Sequence, residues 1–198
     1  MKLNSAIIVG ALAPLLTATI EAQSTFHFQN LVPSSGIDAP VFDADGARLT
    51  DPHYAVELWG GARSDSLSPT LDFSSGQRLI LPFLSGVGAG YFTSVNQMTV
   101  WAVAGGDFAW VQVRAWDVRL GATYEEVVAI GVGGYGESSL LYKLGGNPLG
   151  LPTPPSPLTG LQAFSLLPVV PEPSTWPLFA LGGTALYWAW RWRSQRRS

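Results

Sequence analysis

The chain has 198 residues, of which 47% are hydrophobic and 13% charged, and it contains no cysteine. The length suits one ordinary domain, and the 12% aromatic content with a net charge of −3 excludes a chain that is disordered throughout. The lack of cysteine excludes a disulfide framework, a thiolate zinc site, a cysteine nucleophile and a lipid-bearing cysteine.

Residues 1–22 have the pattern of a signal peptide. Lys2 supplies the positive region, and residues 6–20 form an uncharged apolar run that is shorter than the roughly 20 residues of a membrane-spanning helix. Polar residues begin at Glu21, and Ala22 places a small residue before a cleavage point. We therefore expect an N-terminal signal helix, export, and cleavage after Ala22.

The region between the two ends of the chain is acidic. Residues 23–170 hold twelve acidic and six basic side chains, which gives a net charge of −6. Nucleic-acid phosphates would repel such a domain, because binding to them depends on clustered lysine and arginine. The sequence therefore excludes nucleic acid as a partner.

Residues 23–144 show short strand-like runs separated by Gly, Pro, Ser and Asp, which predicts an all-β domain. In the clearest run, 108–116, small apolar residues alternate with aromatic and polar ones. The other runs are 25–29, 53–59, 78–83, 91–93, 98–104, 138–144 and 161–166. This number and spacing favour a single antiparallel β-sandwich, loosely similar to fibronectin-like or lectin-like domains. One helix is expected, from a capping box at Thr123 and Glu126 to about residue 129.

Residues 145–169 follow this domain. The first part, 145–157, is rich in Pro and Gly and holds no charge, which is typical of a linker or a long surface loop. Residues 158–167 are expected to return as a last strand.

Four patterns resemble catalytic or binding motifs, and each has a plainer interpretation. Residues 131–136 match GxGxxG but lack the following helix and acidic residue of a dinucleotide site, so a glycine loop is expected. Residues 43–46 indicate an Asp-Gly turn in preference to a calcium loop. His27 and His53 lack metalloprotease spacing. The adjacent Glu125 and Glu126 indicate helix capping, because neighbouring helical residues point in different directions.

The tryptophans of the predicted strands permit a sugar-binding surface. Trp110 and Trp116, about 20 Å apart on one strand with Arg114 between them, would form a strip on which sugar rings stack. The alternative is that at least three of Trp59, Trp101, Trp110 and Trp116 belong to the core.

The C-terminal tail combines three features. Pro171, Glu172 and Pro173 form an extended segment, because proline disfavours helix. An apolar stretch of seventeen residues, 176–192, follows and holds no charge before Arg191. As a helix it would be about 25 Å long, which makes it a marginal membrane-spanning helix. The expected anchor residues are Trp176, Phe179, Leu181, Tyr187, Trp188 and Trp190. The arginines that would hold the cytoplasmic side are Arg191, Arg193, Arg196 and Arg197.

The three features, in this order within residues 170–198, resemble the PEP-CTERM sorting signal of exported bacterial proteins. The resemblance implies that an exosortase, a membrane-embedded processing enzyme, recognises Pro171, Glu172 and Pro173 and removes the tail. It also implies association with envelope or extracellular polysaccharide in Gram-negative bacteria. Such a tail is sometimes labelled after ice-binding proteins, and the label implies nothing about ice. A permanent anchor without processing is the alternative.

These observations favour a non-catalytic exported envelope or matrix protein, with no cofactor and no metal. It would be membrane-anchored as a precursor and would reach the outer surface or extracellular matrix after removal of the tail. The first alternative is an exopolysaccharide-binding module that uses Trp110, Arg114 and Trp116. The second is a small secreted hydrolase, which rests only on the presence of Asp, Ser and His.

Overall fold

The computed structural model describes residues 23–149 and 151–170 of the chain. The predicted signal peptide at 1–22 lies outside the described residues. So do the motif at 171–173 and the apolar tail that begins at Trp176, with its anchor residues and arginines.

The described residues form short strands and one α-helix. The strands are β1 (Gln23–Phe28), β2 (Leu31–Val32), β3 (Ile37–Asp38), β4 (Val41–Phe42), β5 (Tyr54–Gly61), β6 (Ser68–Pro69), β7 (Leu71–Asp72), β8 (Leu81–Pro82), β9 (Val95–Ala104), β10 (Phe108–Asp117), β11 (Tyr135–Glu137), β12 (Leu141–Leu144), β13 (Ser156–Pro157) and β14 (Phe164–Ser165). The helix α1 is Tyr124–Ile130, and short 3-10 turns lie at Pro33–Ser35 and Gly86–Gly88.

Two larger sheets contain most of these strands. The four-stranded sheet has the order β13-β1-β9-β7, in which β13 lies parallel to β1 and the other pairs are antiparallel. In the six-stranded sheet, β5 and β10 lie at the centre; β6 and β8 pair with β5, and β11 and β12 pair with β10. Two small pairs, β2 with β3 and β4 with β14, complete the described strands.

One hydrophobic core lies against both larger sheets. It contains Phe26 and Met98 from the four-stranded sheet, and Val56, Leu58 and the small inner residues of β10 from the six-stranded one. These inner residues are Ala109, Val111, Val113 and Ala115. The predicted alternation along β10 is therefore confirmed, because the small apolar residues share the buried face.

The two sheets approach each other closely at Gly60. A Cβ atom at this position would lie 2.6 Å from the Cγ2 atom of Val100 in β9. Glycine in the central strand β5 thus leaves space for the side chain of the opposite sheet.

The segment 145–169, predicted as a linker with a last strand, is packed against the sheets along much of its length. It contributes β13 and β14, and Leu158, Leu161 and Leu166 are buried in the main core. Gly146 also exchanges two backbone hydrogen bonds with Thr25 of β1. Proline and glycine in this segment allow close packing against the sheets. The same composition is also typical of a free linker, so composition alone does not distinguish the two.

The all-β prediction is confirmed, while the finer assignment to a fibronectin-like or lectin-like sandwich stays a prediction. The predicted helix is present within one residue of its expected bounds. None of the helices in the described residues is long and apolar enough to cross a membrane.

The packing of the late segment is testable through Leu158. We expect Leu158→Ala to lower the free energy of unfolding by about 3 kcal/mol, because this completely buried side chain would leave a cavity. Denaturant titration of the purified protein measures the change. Leu151→Ala, at a position that is 89% exposed, is the control and should change little. Equal effects of the two substitutions would contradict the packing of this segment into the core.

Candidate functional site

The second face of the six-stranded sheet carries the polar and aromatic residues of the domain, and we call it the outer face. On β10 its members are Phe108, Trp110, Gln112, Arg114 and Trp116, which alternate with the core residues. The neighbouring strand places Ala55, Glu57 and Trp59 opposite Trp116, Arg114 and Gln112.

Helix α1 covers one end of the outer face. Its capping box is present: the Thr123 hydroxyl accepts a hydrogen bond from the Glu126 N–H, and the Glu126 carboxylate accepts one from the Thr123 N–H. This start directs Tyr124 and Val127 toward the sheet, where they pack with Trp59 and Trp116 in a second hydrophobic cluster. The capping box therefore sets where α1 begins, and α1 covers this part of the outer face.

A buried carboxylate lies beside this helix. The Glu57 side chain is completely buried on β5, and its Oε2 atom accepts hydrogen bonds from Arg78 Nη2 at 2.7 Å and Trp59 Nε1 at 3.0 Å. Arg78 also donates to both carboxylate oxygens of Glu125 on α1, at 3.0 and 2.8 Å. One guanidinium thus links the sheet to the helix through two carboxylates.

The two carboxylates differ in their protonation equilibria because they differ in burial. Burial raises the pKa of Glu57, and the hydrogen bonds from Arg78 only partly offset this effect. Burial also acts to raise the pKa of the more exposed Glu125, but there the hydrogen bonds from Arg78 outweigh it and leave the pKa below its ordinary value. Both carboxylates are partnered by Arg78, so this cluster joins the helix to the sheet.

Trp116 and Arg114 do not form the predicted sugar-binding strip. Trp116 is completely buried under α1, so its ring offers no face to a sugar. The guanidinium of Arg114 lies 4.1 Å from the ring centre of Trp59 and 5.0 Å from that of Tyr124, and its Nε atom donates to Gln112 at 3.0 Å. The helix, whose docking position the strand sequence does not reveal, is the reason for this correction.

The other end of the outer face is open and aromatic. Phe108, Tyr142 and Trp110 form a row. The ring centre of Tyr142 lies 5.0 Å from that of Phe108 and 4.8 Å from that of Trp110. Phe108 is 50% exposed and Tyr142 is 53% exposed, while Trp110 is partly exposed. We call this set the aromatic row. Flat, partly exposed rings of this kind can stack on the apolar faces of sugars.

Sequence reasoning found Trp110 but missed its partners. Phe108 shares the strand face by simple alternation, and that signal was available. Tyr142 arrives through the pairing of β12 with β10, which sets it opposite Trp110, and no local pattern specifies this register. Of the four tryptophans considered for the core, Trp59 and Trp116 are buried, while Trp101 is 62% exposed.

The remaining motifs have structural roles in the described residues. Asp43 closes the predicted turn by accepting hydrogen bonds from the N–H groups of Asp45 and Ala47. The Nε2 atom of His27 lies 2.6 Å from the Ser94 hydroxyl, and burial lowers the pKa of this histidine. Within 23–149 and 151–170, no group of three or more metal-ligating side chains is present.

The pH dependence of stability tests the charge state of Glu57. Because its pKa is raised by folding, its stabilising contribution is present below the ordinary glutamate pKa and is lost as the pH rises through the folded-state pKa. Between about pH 4 and about pH 7, the free energy of unfolding of the wild type should therefore fall relative to that of Glu57→Gln. Denaturant titrations at both pH values measure this difference.

Glu125→Gln is the matched control, because the pKa of Glu125 is lowered by folding. Here the wild type should gain stability relative to the variant over the same pH interval. Changes of the same sign at both positions would contradict the assigned electrostatics.

The comparisons with known proteins identify one region of the chain. Residues 169–197 match the family model of the PEP-CTERM protein-sorting motif. Neither the curated proteins nor the solved structures contain a match to this chain. The matched residues begin at the end of the described domain and include the predicted tripeptide, apolar stretch and arginines. The chain therefore carries a PEP-CTERM sorting motif, which indicates an exported protein that is sorted by an exosortase from a membrane-anchored precursor.

Proposed function

We propose that this protein is a non-catalytic component of the cell envelope or extracellular matrix, released to the surface when the exosortase removes its tail. The observation that carries the proposal is the sorting motif at 169–197, which directly follows the folded domain. The buried polar cluster of the domain supports it, because Glu57 binds Arg78, which also binds Glu125 and so links the sheet to helix α1.

The proposal predicts a shortened mature protein. Mass spectrometry of protein from the producing cells should find a C-terminus that lacks residues 191–198, and Glu172→Ala should retain them. The glutamate of the motif is the changed group, because the resemblance assigns recognition to Pro171, Glu172 and Pro173.

Asp65→Asn is the control, since this exposed carboxylate lies in the domain and should leave processing unchanged. An intact tail on the wild-type mature protein, in cells that contain an exosortase, would overturn the processing step. It would support the permanent anchor.

A second candidate function is exopolysaccharide binding, and the aromatic row is the specific observation that favours it. Phe108, Tyr142 and Trp110 present three adjacent rings on an open part of the sheet. This surface replaces the strip from Trp110 to Trp116 that the sequence predicted. Ring stacking needs no deep pocket, so a flat sheet face is sufficient for it.

Retention on the producing bacterium's own exopolysaccharide tests this function. We expect Trp110→Ala and Tyr142→Ala each to weaken retention about tenfold, because one aromatic contact contributes about 1.5 kcal/mol. Trp101→Ala is the control: it removes an exposed tryptophan from the other sheet and should retain wild-type binding. If the wild type is not retained, or if all three variants behave alike, the aromatic row is not a polysaccharide site.

A further inference from the structure

Backbone hydrogen bonds hold the chain where it leaves the described domain. The Leu167 N–H donates to the Tyr135 carbonyl at 2.8 Å, and the Gly134 N–H donates to the Leu167 carbonyl at 2.9 Å. The Val170 N–H then donates to the Val132 carbonyl at 2.8 Å. The chain is thus attached to the domain up to Val170, immediately before the sorting tripeptide.

The glycines of the run 131–136 make this attachment possible. A Cβ atom at Gly133 would lie 2.0 Å from the Pro168 carbonyl oxygen, and one at Gly136 would lie 2.5 Å from the Ser165 carbonyl oxygen. Gly133 also has a φ angle of +92°, which L side chains rarely adopt. The formal GxGxxG pattern therefore serves as a backbone cradle for the departing chain.

A group of exposed apolar side chains surrounds this point, and we call it the exit face. It is formed by the stretches 128–136 and 165–170, neither of which contains a charged residue. The charged residues at its borders are Asp43, Asp45, Asp117, Arg119 and Glu137. Val128, Leu167 and Glu137 line one cleft between α1 and the departing chain. The exposed apolar members of the exit face are Val128, Ile130, Leu167, Val169 and Val170.

The tail brings the exit face close to the membrane. Five residues separate Val170 from Trp176, so the connection to the apolar stretch spans at most about 20 Å. A domain of this size has a diameter of about 40 Å. Because the chain is held up to Val170, a connection this short cannot turn the exit side of the domain away from the lipid.

We propose that the exit face lies on the lipid surface in the membrane-anchored precursor, with Ile130 and Val169 in the boundary between headgroups and acyl chains. Exposed apolar side chains gain free energy when they enter this boundary region. The inference rests on the membrane anchoring of the precursor and does not require that the tail be removed.

The absence of cysteine makes a site-specific test direct, because each cysteine variant carries a single fluorescent label. The full-length precursor is placed in phosphatidylcholine vesicles that contain lipids with brominated acyl chains, which quench fluorescence on contact. A bimane label at Ile130→Cys should lose much of its fluorescence. A label at Leu144→Cys, at the opposite end of β10, should lose little, although the two positions have matched exposures of 48% and 50%.

Two further variants separate the possible failures. A label at Ser174→Cys, two residues before the apolar stretch, reports anchoring alone. If the label at Ser174→Cys is quenched and the label at Ile130→Cys is not, the exit-face proposal is overturned and the anchoring stands. If the label at Ser174→Cys is not quenched, the anchoring is overturned and the proposal with it. Ile130→Asp should reduce the quenching of a label at Val128→Cys, because a charge would lift the face from the lipid. Unchanged quenching in that variant also counts against the proposal.

Discussion

The two-residue period of β10 connects the core of the domain to its outer face. The same ten residues place Ala109, Val111 and Val113 in the main core and present Trp110 and Arg114 on the opposite side. Because side chains alternate strictly along a strand, neither face can change register without the other. The position of every outer-face residue therefore depends on the packing of small residues against the four-stranded sheet.

This dependence explains what the sequence could predict. Features that rest on local chemistry were predictable: the alternation in β10, and the capping box of Thr123 and Glu126, which the structure shows with both reciprocal hydrogen bonds. The tail was predictable for the same reason, since its tripeptide, apolar stretch and arginines are contiguous. These signals act within one turn or one strand and do not need the rest of the fold.

Features that rest on pairing between distant segments were not predictable. Arg78 reaches Glu57 across 21 positions of the sequence, and Tyr142 stacks on Trp110 only because β12 is in register with β10. Leu158 is buried although it follows a stretch rich in Pro and Gly, a composition that is also typical of free linkers. Burial of Trp116 depends on where α1 docks. In each case the contacting residue lies far away in the sequence, and a single sequence does not reveal which distant residues are in contact.

The length of β10 also separates two surfaces of different character. Its first residues carry the aromatic row, while the N–H of its last residue, Asp117, donates a hydrogen bond to the Gly134 carbonyl at the border of the exit face. Six residues of strand, from Trp110 to Trp116, place these ends about 20 Å apart. If the exit face lies on the lipid, the aromatic row is held away from the bilayer. Anchoring at one end of the strand thus orients the open rings at the other.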